Sequence, residues 1–266
     1  MEKNLRKPSL FDYPAPLWRV WSVLGTISMI VTVIPAACFI VLFGLVPRAR
    51  RIQTFFVRGW NSLTFLTART RYEVSGVEHH NPAEPALIVS NRQSLFDIPT
   101  SLYWLGGDVR MVAKRELFRV PFFGWALAAS EFIPIDRGNR NSGQKASQEI
   151  RDRIRSGIFV WVAPEGTRSH GAQMGSFKKG SFAMAIEAGV PIQPIVLLNS
   201  HEILSKKEWL FHPGVQLKVR VLPRISTDGY TIERRGELAD HVRAEMQRAL
   251  DEMKSAEIPK VRQRVT

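Results

Sequence analysis

The run Ile158-Phe159-Val160-Trp161-Val162-Ala163, followed by Pro164-Glu165-Gly166-Thr167-Arg168-Ser169, decides how this chain is read. Six consecutive apolar residues rich in β-branched and aromatic side chains suit a short strand. The proline and glycine that follow predict a strand end opening into a tight turn, which would bring backbone donors and Arg168 to one place.

Working outward, similar short runs occur at Ala86–Ser90, Val109–Ala113, Phe132–Ile135, Ile192–Leu197 and Val215–Val221. Helical stretches are expected between most of them, at Leu95–Leu105, Glu116–Ala129, Ser142–Arg155 and Phe177–Ala188. This alternation predicts an α/β sheet covered by helices. Near the carboxyl end Leu238, Val242, Met246, Leu250 and Met253 recur every three or four residues among charges, the pattern of an amphipathic helix that packs by one face. The expected organisation is an N-terminal membrane-associated helical region over 1–68, an α/β domain over 69–254, and a solvated basic tail over 255–266.

The chain carries 37 Lys and Arg against 24 Asp and Glu, a formal charge of +13. Such an excess calls for an anionic partner: nucleic acid, acidic phospholipid or a phosphorylated small molecule. No helix-turn-helix, zinc-finger, RRM or KH pattern is present, so nucleic acid is not the expected partner. The single cysteine, Cys38, excludes an intrachain disulfide framework and a CxxC pair. No metal cofactor is indicated.

Trp21 to Val46 contains no Asp, Glu, Lys, Arg or His. An ideal helix of that length would reach about 39 Å, against a hydrocarbon core of about 30 Å. The run is longer than a signal-peptide core and ends in Pro47-Arg48-Ala49-Arg50-Arg51, without a small-residue cleavage site. Cations flank it on both sides, Lys3, Arg6, Lys7 and Arg19 before and Arg48, Arg50, Arg51 and Arg58 after, which argues against an ordinary single span. Pro35 divides it into two halves too short to cross comfortably, so a re-entrant helical pair fits best; a tilted span and a buried core helix are the alternatives.

Four polar clusters fall in a specific order along the sheet: Asn91-Arg92-Gln93-Ser94-Leu95-Phe96-Asp97, Phe132-Ile133-Pro134-Ile135-Asp136-Arg137, Glu165-Gly166-Thr167-Arg168-Ser169 and Val190-Pro191-Ile192-Gln193-Pro194. A further stretch, Lys114 to Trp125, lies between the first two. In this order they resemble the sequence blocks of the glycerolipid acyltransferase family, and specifically the 1-acylglycerol-3-phosphate acyltransferases, over about Tyr72 to Pro194. The resemblance implies a glycerol-3-phosphate acyltransferase-like α/β fold, with a mixed sheet flanked by helices and an N-terminal membrane-associated segment. It also implies transfer of a fatty acyl group from a thioester of coenzyme A or acyl carrier protein to the free hydroxyl of lysophosphatidic acid, giving phosphatidic acid. The thioester would be a co-substrate, with no bound cofactor. The catalytic domain would sit on the cytoplasmic face of the membrane against an anionic surface.

Such chemistry needs a base for the hydroxyl proton, a group that orients the base, donors for the tetrahedral oxyanion and cations for the phosphate. The resemblance places Asp97 as the orienting carboxylate, with Ser94 available as a local helix cap. Arg137 and Arg168 fall at acceptor-binding positions, where guanidinium forks suit phosphate oxygens. Lys114 is a further phosphate candidate. Glu165, Gly166 and Thr167 form the turn that presents donors, and Pro191 and Pro194 are expected to shape the pocket.

One residue departs from the family pattern. Where the family has a histidine separated by four residues from the aspartate, this chain has Arg92. Arginine offers five donors, no acceptor and essentially no neutral form near pH 7, so it cannot serve as that base. The alternatives are a substituted copy of an active enzyme, a homologue using another base, or a lysophospholipid-binding relative without acyl transfer. Among the remaining histidines, His170 is of most interest because it directly follows Ser169. A serine hydrolase is disfavoured by the absence of a GxSxG elbow.

Overall fold

The structure is a computed structural model that describes residues 20, 22–27, 38, 50–104, 108–121, 123–136, 139–166, 173–204 and 210–257. Seven strands are present among the described residues: β1 (Arg71–Ser75), β2 (Leu87–Ser90), β3 (Val109–Lys114), β4 (Ile133–Ile135), β5 (Phe159–Val162), β6 (Ile192–Leu198) and β7 (Gln216–Val221). They form one sheet in the order β1-β7-β6-β2-β5-β3-β4. Strands β2 to β6 run parallel, β7 is antiparallel to β6, and β1 is parallel to β7. The sheet is therefore mixed, as expected.

Its helices are α1 (Arg50–Thr67), α2 (Asp97–Trp104), α3 (Phe123–Ala129), α4 (Arg140–Arg155), α5 (Gly180–Ala188), α6 (Ser200–Ile203) and α7 (Arg235–Glu257). Strands β2, β5 and β6 are buried along their whole length, so their side chains alternate between two covered faces. On one face Leu87, Val89, Val160, Val162 and Val196 pack beneath α4, α5 and α7. Ile150, Phe182, Leu238, Val242 and Met246 supply the helical side of that layer. Burial of each such side chain stabilises the fold by about 1.5–3 kcal/mol. On the other face Ile88, Met111, Phe159, Trp161, Ile195 and Leu197 form a second layer.

A third cluster joins Phe65 and Ala68 at the end of α1 to Phe96, Ile203, Phe211 and Leu217. It gathers where β2 and β6 end and where β1 and β7 begin. Residues 22–27 are helical and fastened here, because Thr26 Oγ1 accepts from the Phe211 amide at 3.3 Å. The rest of the expected re-entrant pair, Trp21 to Val46, lies outside the described residues apart from position 38. Among the described residues no helix is long and apolar enough to cross a membrane.

Several expectations are corrected. The single helix expected over Glu116–Ala129 is a 3-10 turn at Arg115–Arg119 followed by the separate α3. Pro121 explains the break, since it disfavours helical geometry at Val120, whose φ and ψ are −72° and 123°. The helix expected from Phe177 begins only at Gly180, and the one expected from Leu95 begins at Asp97. Strand β1 was not anticipated. Pro194 is a buried residue of the interior strand β6, and neither it nor Pro191 lines the cavity beside Gly166. Proline has no N–H to offer the Leu222 carbonyl opposite it, and Gln193 Nε2 donates to that carbonyl instead, while the Pro194 carbonyl accepts from the Leu222 amide at 3.0 Å.

Candidate active site

The C-terminal ends of β2 and β5 lie side by side, and the loops leaving them are joined. Ser90 Oγ, at the end of β2, accepts from Trp161 Nε1 of β5 at 2.9 Å. Asn91 is stitched to β6 in both directions: its Nδ2 donates to the Leu197 carbonyl at 2.8 Å and its Oδ1 accepts the Leu197 amide at 2.7 Å. The chain then turns into α2 through Arg92, Gln93, Ser94, Leu95 and Phe96.

Asp97 opens α2 and is fully buried. Its Oδ2 accepts the backbone N–H of Gln93 at 2.8 Å and of Ser94 at 2.9 Å, and its Oδ1 accepts from Ser200 Oγ on α6. The carboxylate thus reaches back over its own loop, which differs from a helix cap. Ser94 supplies the local turn instead, accepting from the Phe96 amide at 3.1 Å and donating to the Leu204 carbonyl at 2.7 Å. Burial pushes the Asp97 carboxyl up to about 6; the hydrogen bonds from Ser200, Ser94 and Gln93, and last the Arg92 charge, pull it the other way.

Arg92 is half-buried, and its backbone N–H donates to Glu165 Oε1 at 2.8 Å. Glu165 Oε2 accepts the Gly175 amide at 2.9 Å, so this buried carboxylate clamps the β2 loop to the return of the β5 loop. The next residue, Gly166, has φ of 70°, a conformation that favours glycine. It forms part of the wall of a cavity of about 770 Å³. Val112, Ile135, Val162 and Met184 give this cavity apolar walls, and Lys178, Arg235, Asp136 and Glu187 add charge.

The structure therefore brings Arg92, Asp97, Glu165 and Gly166 to one end of the sheet. Lys114, the last residue of β3, is exposed and paired with Glu116 at 3.0 Å. Arg137, Thr167, Arg168 and His170 lie outside the described residues. Sequence reading missed Ser200 and the neighbouring His201, whose Nδ1 lies 3.4 Å from Gln93 Oε1. Both follow a strand ending at the same edge as β2, but they lie about a hundred positions away in sequence, where no local motif connects them.

A family model described as Acyltransferase matches residues 71–198, which contain β1 to β6. The 1-acyl-sn-glycerol-3-phosphate acyltransferase of Pseudomonas aeruginosa is 34% identical over 220 residues, covering 80% of this chain and 81% of that protein. This chain belongs to the 1-acyl-sn-glycerol-3-phosphate acyltransferase family. The human family member named 1-acyl-sn-glycerol-3-phosphate acyltransferase alpha is 39% identical over 177 residues, 66% of this chain. The chain spans 62% of that human protein's length. The fold agrees with that of the Thermotoga maritima family member PlsC, whose crystal structure superimposes with a TM-score of 0.74 at 24% identity, covering 89% of this chain and 98% of that one. Arg92, which the sequence resemblance leads one to expect at the family's histidine position, lies within the matched segment.

Proposed function

We propose that this chain transfers a fatty acyl group from a thioester of coenzyme A or acyl carrier protein to the free hydroxyl of lysophosphatidic acid, forming phosphatidic acid at the cytoplasmic face of a membrane. The observation that carries this reading is the Arg92–Glu165 clamp. It joins the 91–97 loop to the Glu165–Gly166 turn, beside a cavity with apolar walls and charged groups, in a chain of this family.

In the reaction, the acceptor hydroxyl attacks the thioester carbonyl, the hydroxyl proton leaves to a base, and the tetrahedral oxyanion collapses with loss of thiolate. The backbone donors of Arg92, Gln93 and Ser94 are already committed to Glu165 and Asp97. Their work is to hold the loop, and the oxyanion donors come from elsewhere. An arginine at position 92 supplies positive charge for an oxyanion or phosphate and leaves proton removal to another group.

A second reading is that this chain binds lysophospholipid with impaired turnover, and the observation favouring it is Arg92 itself. One comparison tests both: acyl transfer to lysophosphatidic acid by this chain and by Arg92→His. Restoring a general base is expected to raise the rate by roughly 100- to 10,000-fold. Equal rates would remove the histidine mechanism, and saturable binding without turnover in either protein would favour the binding role.

A further inference from the structure

We propose that the stretch from Lys114 to Pro121, together with α3, is a membrane-docking element that seats the C-terminal end of the sheet on an anionic phospholipid surface. The inference deepens the membrane assignment made above by naming the surface that touches lipid.

The segment leaves β3 at the end of the sheet where the β2 and β5 loops meet. It exposes large apolar side chains: Leu117 is 41% exposed, Val120 45% and Trp125 54%. Three different pieces of structure supply them, the 3-10 turn, the Val120–Pro121 break and α3, and α3 packs back on the 3-10 turn. The Gly124 amide closes this fold on the Val120 carbonyl at 2.7 Å. A side chain at Gly124 would put its Cβ 2.2 Å from the Phe118 carbonyl oxygen, so the close approach of the two pieces depends on glycine.

Charge decides the occupant. Lys114, Arg115 and Arg119 are all exposed, against the single carboxylate of Glu116, which pairs with Lys114. Exposed apolar side chains that include a tryptophan, in one segment with exposed cations, match the boundary between acyl chains and anionic headgroups. Each cation near such a surface is expected to strengthen binding roughly fivefold. Leu95, 39% exposed in the loop between Arg92 and Asp97, adds an apolar side chain at the same end of the sheet. A bilayer held there would present its lipids to the site edge-on.

The experiment uses the full chain with Cys38→Ser and one new cysteine carrying an environment-sensitive fluorophore, either at Val120 or at Ala244 on the exposed side of α7. Both positions are exposed, so labelling leaves the core intact. On phosphatidylglycerol–phosphatidylcholine vesicles the label at 120 is expected to shift to the blue and to be shielded from an aqueous quencher, with the label at 244 unchanged. Replacing Arg115 and Arg119 by glutamine should weaken that shielding by more than tenfold in lipid concentration. The proposal is overturned if the label at 120 stays as accessible as that at 244 while the protein co-sediments with vesicles. Equal shielding on pure phosphatidylcholine also overturns it, because the charge argument then fails. The readout needs no catalysis, so acyl transfer measured on the same samples reports separately on the proposed activity.

Discussion

Ser200 Oγ donates to Asp97 Oδ1, linking the helix that follows β6 to the carboxylate that organises the loop after β2. Asp97 already accepts two backbone N–H groups on its other oxygen, so Ser200 fixes the plane of the carboxylate. Ser200→Ala removes a contact that lowers the Asp97 pKa. In the Arg92→His background, where an ionised Asp97 would support an imidazolium, the acid limb of the pH–rate profile should move upward from near pH 6. Ser200→Thr should restore it. An unchanged acid limb in Ser200→Ala would show that the contact serves packing alone.

Asp97 also predicts a pH dependence of stability. Its folded pKa, about 6, lies above its ordinary value of 3.8. The folded state therefore holds the proton more tightly than the unfolded state. The associated stability is fully present below about pH 4 and is lost as pH rises through about 6, by an amount on the order of 3 kcal/mol. Asp97→Asn, which cannot ionise, should abolish that share of the loss. Melting curves of the two proteins between acid and neutral pH should diverge, with the asparagine form gaining relative stability toward pH 7. Parallel curves would refute the assignment.

Glu165 joins two loops through two backbone amides. Glu165→Gln keeps the shape but offers only one carbonyl oxygen, so one amide loses its acceptor at a cost of about 1–3 kcal/mol. Activity should fall more than stability, because the Arg92 loop is displaced from the Gly166 wall of the cavity. Thermal melting and kcat measured together check this. Equal losses in both would mean that Glu165 acts only as a brace.

Gly143 tests the cavity. It lies on α4 in the cavity wall, and a Cβ there would meet nothing within 4 Å. Gly143→Ala should stabilise the protein by about 1 kcal/mol through helix propensity and leave turnover unchanged. Gly143→Leu should fold equally well but raise KM, since its side chain would extend into the space. An unaltered KM for both thioester and acceptor would take the cavity out of the substrate path.

The strands at the centre of the sheet were legible because burial on both faces leaves an almost unbroken apolar run, as in Ile158–Ala163. Strand β1 was invisible for the opposite reason. Four of its five residues are exposed, including Arg71 and Glu73, and it is held by backbone pairing with β7, which sequence periodicity does not register. The helix boundary at Pro121 was readable in principle, since proline restricts the residue before it, but the apolar pattern ran through it. At the site, Arg92, Asp97 and Glu165 were found through motifs. Ser200 was not, because its partnership with Asp97 exists only after β6 is laid beside β2.

The reversed direction of β1 and β7 settles where the chain enters the domain. Had all seven strands been parallel, α1 would reach the sheet at the edge far from Arg92 and Glu165. Instead it arrives beside Phe96 and Phe211, at the end where the loops converge. Any attachment made upstream of α1 therefore tethers the reactive edge itself. For the proposed membrane-bound enzyme, the encounter with a lipid would then be a search over a plane at fixed height, in which orientation is set by the path of the backbone before a substrate molecule is met.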